Sequence, residues 1–233
     1  MVYKRRLVSQ LVQRLKEERK FIQIVVGPRQ TGKTTAVNQA LSEIDIPVHF
    51  ISADDPGLIS QEWLKNEWEK ARIQGGSSSK GAILVVDEIQ KIPQWSSVVK
   101  LMWDEDTRYN TPVKAILTGS SSLLLQKGMH ESLMGRFEVL YSPHWSFLEC
   151  SEAFGYTLEE FLYYGGFPGA AGQRDDIDRW RRYIGTSIVE PTIAQDVVQM
   201  EEVRKPALMR ALFYTGATYS AQELSYVKLL GQL

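Results

Sequence analysis

Cysteine is nearly missing from this chain. Cys150 is the only one in 233 residues, which excludes an intrachain disulfide and fits a reducing compartment. Histidine is also scarce, and His49, His130 and His144 stand at no metal-ligand spacing, so no zinc site is expected. No apolar run approaches the ~20 residues that span a bilayer. The basic opening Met1–Arg6 has no apolar stretch behind it and does not read as a secretory signal. Charge of one sign is absent too: 27 Lys and Arg against 28 Asp and Glu leave a formal net charge of −1. No global positive field therefore draws the chain to nucleic acid or to an anionic membrane. No internal repeat is visible. The expectation from these absences is a cytoplasmic protein with no membrane segment.

What is present is patterning. At 43% hydrophobic and 24% charged, the composition is that of a globular protein with a filled core, and the length admits one domain plus a smaller module. Leu7, Leu11, Val12 and Leu15 recur at helical spacing and predict an amphipathic helix over 5–18. Short apolar runs at Phe21–Val26, Pro47–Ile51, Ala82–Val86, Val113–Leu117 and Phe137–Tyr141 read as strands. Between them, residues 34–44, 58–73, the stretch bearing Trp95, Val98, Val99 and Met102, and Leu123–Met134 read as helices. Gly75–Gly81 reads as a flexible connector. The alternation predicts an α/β fold, a five-stranded parallel sheet covered by helices on both faces in three layers. Beyond about residue 146 the strand signal fades, and patches at 157–164, 176–199 and 205–214 predict an α-helical appendage. The expected organisation is a core over 1–146, helices over 147–204 and a further piece over 205–233.

The chemistry begins where the first strand stops. Gly27-Pro28-Arg29-Gln30-Thr31-Gly32-Lys33-Thr34 follows the apolar run directly and opens a helix that continues into Thr35. A strand that breaks at glycine and turns into a helix aims backbone N–H groups and the positive end of the helix dipole at one point, where an anion belongs. Gly27 and Gly32 are expected to let the chain turn and to keep side chains off the phosphates. Lys33 can reach the β- and γ-phosphates, and the Thr34 hydroxyl can ligate Mg²⁺.

The third strand delivers Asp87-Glu88 to the same edge of the sheet, where ligands bind in open α/β folds. Mg²⁺ takes oxygen ligands and keeps waters, so Asp87 is expected to hold it through a water, opposite Thr34. Glu88 is then placed to orient and deprotonate an attacking water. The fourth strand ends at that edge in Thr118-Gly119-Ser120; either Thr118 or Ser120 can contact the γ-phosphate or the water, and a serine-rich turn capping the next helix is the alternative. Arg136, before the fifth strand, is a candidate for stabilising charge on the γ-phosphoryl in its own subunit or a neighbour's, or else a surface ion pair. Arg29, inside the loop, can similarly contact the nucleotide or a partner, with a surface role as the alternative. Asp104-Glu105-Asp106 reads as a solvated charge run.

With these residues in view, the chain resembles an AAA+-related ATPase. More narrowly, it resembles the bacterial and archaeal ATPases that join such a domain to a C-terminal winged helix and a nuclease-like module. The resemblance rests on Gly27–Thr34, Val85-Val86-Asp87-Glu88-Ile89-Gln90, Leu117–Ser122, Leu133-Met134-Gly135-Arg136 and Tyr164-Gly165-Gly166-Phe167-Pro168. It implies a fourth strand lying between the first and third, and it implies ATP and Mg²⁺ served by Lys33, Thr34, Asp87 and Glu88 in the roles above. Leu208–Tyr214 and Tyr219–Leu224 resemble the opening of a winged helix that the chain does not complete, so the sequence reads as a piece of a longer protein without the nuclease-like module. Arg179, Arg181 and Arg182 are available as nucleotide-sensing arginines, but none is singled out. The expected activity is Mg-dependent ATP hydrolysis driving a conformational switch. The rival is a nucleotide-regulated module that binds DNA or protein through its C-terminal region with little turnover; a small-molecule kinase fits less well, because Asp87-Glu88 suits activation of water. Homo-oligomerisation is left open.

Overall fold

The computed structural model describes residues 3–54, 57, 59–120, 132–197, 206–223, 225 and 227. Most of the helix expected over Leu123–Met134, through residue 131, lies outside these. The chain divides into two compact units, Met1–Gly172 and Gln173–Leu233.

The first unit is built on strands Ile22–Gly27 (β1), Val48–Ser52 (β2), Ala82–Asp87 (β3), Val113–Ser120 (β4) and Phe137–Tyr141 (β5). Among the described residues they form one five-stranded sheet in the order β2-β3-β4-β1-β5, with every pair parallel. The fourth strand does lie between the first and third. β1 and β3 are buried along their whole length, because helices cover both sides. On one side Ile22, Ile24, Val26, Leu84, Val86 and Leu117 meet helices Gln61–Gly76 (α3) and Trp95–Tyr109 (α4). On the other, Val25, Ile83, Val85 and Ile116 meet Arg6–Lys16 (α1) and Lys33–Leu41 (α2). Alternate residues of one strand thus feed opposite cores, so a run with no polar face reads as a buried parallel strand.

Two expectations change. Gly75 and Gly76 belong to α3, not to a connector. Gly75 is buried, and a Cβ there would come within 3.3 Å of the Ala82 nitrogen, so this glycine serves close contact between helix and strand, while Gly76 is exposed on the last turn. The run at 104–106 is solvated only in part: Asp104 and Glu105 stay about two-fifths exposed, but its last member does not. Asp106 is fully buried, accepting hydrogen bonds from Trp68 Nε1 at 2.8 Å and Arg72 Nε at 2.7 Å. Burial pushes its carboxyl above the ordinary aspartate value, against the pull of those two donors.

After β5 the first unit closes with short helices Phe147–Phe154 (α5), Leu158–Tyr164 (α6) and Pro168–Ala171 (α7). Both α5 and α6 start in capping boxes, Ser146 with Glu149 and Thr157 with Glu160. Cys150, Tyr156 and Ala171 form a small core with Trp145, Phe154, Phe161 and Tyr164 around it. Burial and the neighbouring Glu149 push the Cys150 thiol up to about 11.

The second unit is helical. Ile177–Tyr183 (α8) runs on through wider π-type turns at Ile184–Val189 and Thr192–Val197, and Pro206–Thr218 (α9) follows. Arg210 of α9 pairs with Glu190 at 2.9 Å. No helix among the described residues is long and apolar enough to cross a membrane.

Candidate functional site

The register of the sheet decides what meets at its C-terminal edge. Val25 pairs with Thr118 and Gly27 with Ser120, while Val86 pairs with Leu117. The ends of β1, β3 and β4 therefore arrive side by side, bringing the 27–34 loop, Asp87-Glu88 and Thr118–Ser120 together.

Two glycines shape the loop, for different reasons. A Cβ on Gly27 would lie 2.0 Å from the Ser142 carbonyl oxygen, so the residue must be glycine because the chain after β5 crosses it. This is a second reason for glycine at position 27, beside the expected clearance for phosphate. Gly32 has φ +84° with nothing among the described residues within 4 Å of a would-be Cβ; here the left-handed backbone itself favours glycine. Gly32 is also the cap residue of α2, which begins without a side-chain cap, leaving the helix terminus suited to an anion. Gln30 is exposed with φ +59°, Arg29 is half-buried and Thr35 exposed on the first turn of α2.

The buried Lys33 ammonium donates to the carbonyls of Gly27 at 3.0 Å and Pro28 at 2.8 Å. Its charge is thus held within the loop. Thr31 is fully buried and donates from its hydroxyl to the Pro28 carbonyl at 3.0 Å, so Pro28 closes the loop by accepting from two residues.

Asp87 is the meeting point of the edge. Its Oδ2 accepts from the Thr34 hydroxyl at 2.9 Å, and its Oδ1 accepts from the Thr118 hydroxyl. A carboxylate beside a helix-terminal hydroxyl is an all-oxygen donor set of the kind Mg²⁺ takes when substrate phosphates complete its shell. Among the described residues there is no group of three or more His, Cys, Asp or Glu that would cage a metal by themselves. The residues at Thr34 and Asp87 therefore fit Mg²⁺ held jointly with a phosphorylated ligand.

Glu88 sits one residue beyond with φ +53° and ψ +43°, a left-handed conformation that costs a non-glycine residue about 1–3 kcal/mol. The strand end thus turns the carboxylate out of the ladder direction. Glu88 accepts a hydrogen bond from the Gln90 amide, whose nitrogen also lies 3.4 Å from Ser120 Oγ. Thr118 and Ser120 are both buried, Thr118 on Asp87 and Ser120 near Gln90.

Arg136 is not brought to this edge of its own chain. It precedes β5, its carbonyl accepts from the Ile22 N–H at 2.8 Å, and its guanidinium holds Asp104 at 2.7 and 3.0 Å. That is the N-terminal edge of the sheet, roughly 16 Å of strand away from the loop. Arg179, Arg181 and Arg182 lie in the second unit.

Several residues at the site have no role assigned from the sequence. Gln90, within the motif at 85–90, lies two positions past Glu88. Arg5, Ser142, Trp145 and Glu149 gather behind the loop: Arg5 reaches the Thr31 carbonyl at 3.3 Å, Ser142 Oγ at 3.1 Å and Glu149 at 2.7 Å. Burial alone would raise the Glu149 carboxyl, but Arg5 and the Ser146 bonds outweigh it and hold it below the usual glutamate value. Burial and then Arg5 lower His144. The spacing Ser146-x-x-Glu149 was a readable signal for a capping box; nothing in the sequence pointed to Arg5.

Comparison with known proteins agrees with this geometry. Residues 19–151 match the family described as an AAA domain, and residues 155–233 match a domain of unknown function, DUF8612. No curated protein matches the chain. The first match covers more than half of the sequence, so the chain belongs to the AAA domain family, in which nucleotide binding and hydrolysis are the general expectation.

Proposed function

We propose that this AAA domain chain binds MgATP across Gly27–Thr34 and hydrolyses it, with Glu88 as the base that activates water. The observation that carries this reading is the convergence on Asp87: Thr34 from the loop and Thr118 from β4 both donate to one carboxylate, and Glu88 follows it immediately. Loop N–H groups and Lys33 receive the phosphates, with Lys33 exchanging its bonds to the Gly27 and Pro28 carbonyls for phosphate oxygens. Thr34 and Asp87 would hold Mg²⁺, Asp87 through a water, and the ion would neutralise charge on the β- and γ-phosphates. Thr118 keeps the Asp87 carboxylate oriented, while Ser120, through Gln90, bears on where Glu88 points. Glu88 takes the proton of the attacking water. Turnover then switches the conformation of the helices beyond residue 146, and the unit Gln173–Leu233 engages a DNA or protein partner. The winged-helix reading of residues 205–233 rests on Leu208–Tyr214 and Tyr219–Leu224 and belongs to the same proposal.

One observation favours a second reading, a nucleotide-held module with little turnover. The Glu88 carboxylate accepts from the Gln90 amide through Oε2, a bond that competes with water for that oxygen.

Replacing Glu88 with Gln separates these readings. In the hydrolytic reading, MgATP affinity stays near wild type while phosphate release falls by about 10²–10⁴. Equal phosphate release from the two proteins overturns the role of Glu88, and wild-type binding without phosphate release establishes the second reading.

A further inference from the structure

We propose that Arg5 is a positioning residue for the phosphate loop, tying the loop to helix α5 through Glu149. The inference rests on the nucleotide-binding reading above and names a residue that this reading does not use.

Arg5 precedes α1 and is only 6% exposed, and a buried guanidinium is tolerated only where its donors are matched. They are matched by three separate stretches of chain. Glu149, in the first turn of α5, accepts from Nε at 2.7 Å and from a terminal nitrogen at 3.2 Å. Ser142 Oγ, just after β5, accepts at 3.1 Å, and the Thr31 carbonyl of the phosphate loop accepts at 3.3 Å. The guanidinium carbon also lies 5.3 Å from the Trp145 ring centre, within cation–π range.

Trp145 strengthens the same point, because its indole N–H donates to the same Thr31 carbonyl at 3.0 Å. The Trp145 N–H donates in turn to the Gly166 carbonyl at 3.2 Å, a close pass that requires glycine, since a Cβ there would lie 2.3 Å from the Trp145 carbonyl oxygen. One loop carbonyl is therefore held by two donors from outside the loop. That carbonyl shares a planar trans peptide with the Gly32 N–H, and in such a peptide the two groups point in opposite directions. Drawing the Thr31 oxygen toward Arg5 and Trp145 turns the Gly32 N–H away from them, and Gly32 borders open space. Arg5 thus sets the direction of a backbone donor at the start of α2 without touching the ligand. Glu149 fixes Arg5 and also closes the α5 capping box through Ser146 at 2.9 Å. The position of α5 is in this way transmitted to the phosphate loop.

The test is calorimetric titration of the full chain with MgATP, alongside steady-state hydrolysis, for wild type, Arg5→Ala, Arg5→Lys, Glu149→Gln and the double variant Arg5→Ala/Glu149→Gln. Loss of the Arg5 bonds should weaken MgATP binding about tenfold, and loss of the Glu149 charge about threefold. The lysine variant should recover part of the loss. KM should rise with little change in kcat, a split that general destabilisation does not produce. Glu149→Gln should add nothing in the Arg5→Ala background, because it acts through Arg5. If Arg5→Ala does not fold, Arg5→Lys and Glu149→Gln alone decide by their affinity relative to wild type. Wild-type affinity in the folded variants, or independent effects in the double variant, overturns Arg5's role and leaves the nucleotide reading intact. Failure of the wild type to bind MgATP removes both.

Discussion

The two edges of the sheet carry similar residues to different ends. At the C-terminal edge, Lys33, Thr34, Asp87 and Thr118 bond to one another's elements at the end of an open loop. At the N-terminal edge, the charged groups are bound into the frame. Arg19 donates to the carbonyls of Val113 and Trp103 at 2.7 and 3.0 Å and lies 3.5 Å over the Trp103 ring. Lys114 donates to the Leu15 and Glu17 carbonyls at the end of α1, and Arg72 and Arg136 clasp Asp106 and Asp104. A charge cluster alone is therefore no guide to chemistry. What distinguishes the edges is strand direction: a parallel sheet sends every strand-to-helix turn to one side, with helix N-termini and loop amides, and leaves the other side to structural pairing.

The sharpest way to separate the edges is to remove their central carboxylates. Asp106→Ala takes away a fully buried group and leaves the Trp68 indole and part of Arg72 without an acceptor. Breaking a buried pair from one side should cost about 3–5 kcal/mol of stability, read as a lowered midpoint in urea at unchanged slope. MgATP affinity, measured below that midpoint, should hold. Weakened nucleotide binding in a folded Asp106→Ala protein would mean that the N-terminal edge also serves the ligand, and the contrast between the edges would fail.

Asp87→Asn is the counterpart, with the next largest effect. The amide keeps the size of the side chain and an acceptor for Thr34 or Thr118, so stability should change by less than about 1 kcal/mol. Loss of the charge should lower ATP turnover by about 10²-fold, with a higher Mg²⁺ requirement. Turnover near wild type in Asp87→Asn would remove this carboxylate from the proposed metal site and leave Lys33 and Glu88 to be explained otherwise.

The same contrast explains what the sequence discloses. Strands sandwiched between helices need apolar residues on both faces, and so Ile83-Leu84-Val85-Val86 and its counterparts stand out without any alignment. The phosphate loop is equally visible, because its geometry is local and needs glycine in the left-handed region at Gly32. Residues whose meaning depends on distant partners are hidden. Gly75 and Gly76 have the composition of a linker but close the helix α3, and only the approach of Ala82, seven positions on, shows why Gly75 is small. Asp106 ends a run of charges, and only Trp68 and Arg72, more than thirty positions earlier, make it a core residue. Arg5 stands in a basic cluster at 4–6, while its partners lie at positions 31, 142 and 149. Arg136 is an intermediate case: its type is evident, but a residue just before a parallel strand belongs to the N-terminal edge, and strand direction alone could have placed it there.

Arg136 also gives the smallest and most discriminating test. Its ion pair with Asp104 is well formed, but both side chains are a third or more exposed, so Arg136→Ala should cost no more than about 1 kcal/mol. The hydrogen bond from Arg136, opposed by partial burial, holds the Asp104 carboxyl below its ordinary value. A depressed carboxyl contributes stability above its unfolded value, about 3.9 for aspartate, and loses it as the pH falls through the folded one. The small difference between wild type and Arg136→Ala should therefore be present at neutral pH and vanish in acid. Turnover per chain should stay within about twofold of wild type at every protein concentration, since the strand between Arg136 and the loop is roughly 16 Å long. A loss of tenfold or more that depends on protein concentration would show the arginine reaching the nucleotide of a second copy. The N-terminal edge of one chain would then complete the C-terminal edge of another, and the division between structural and chemical edges would hold only within a single molecule.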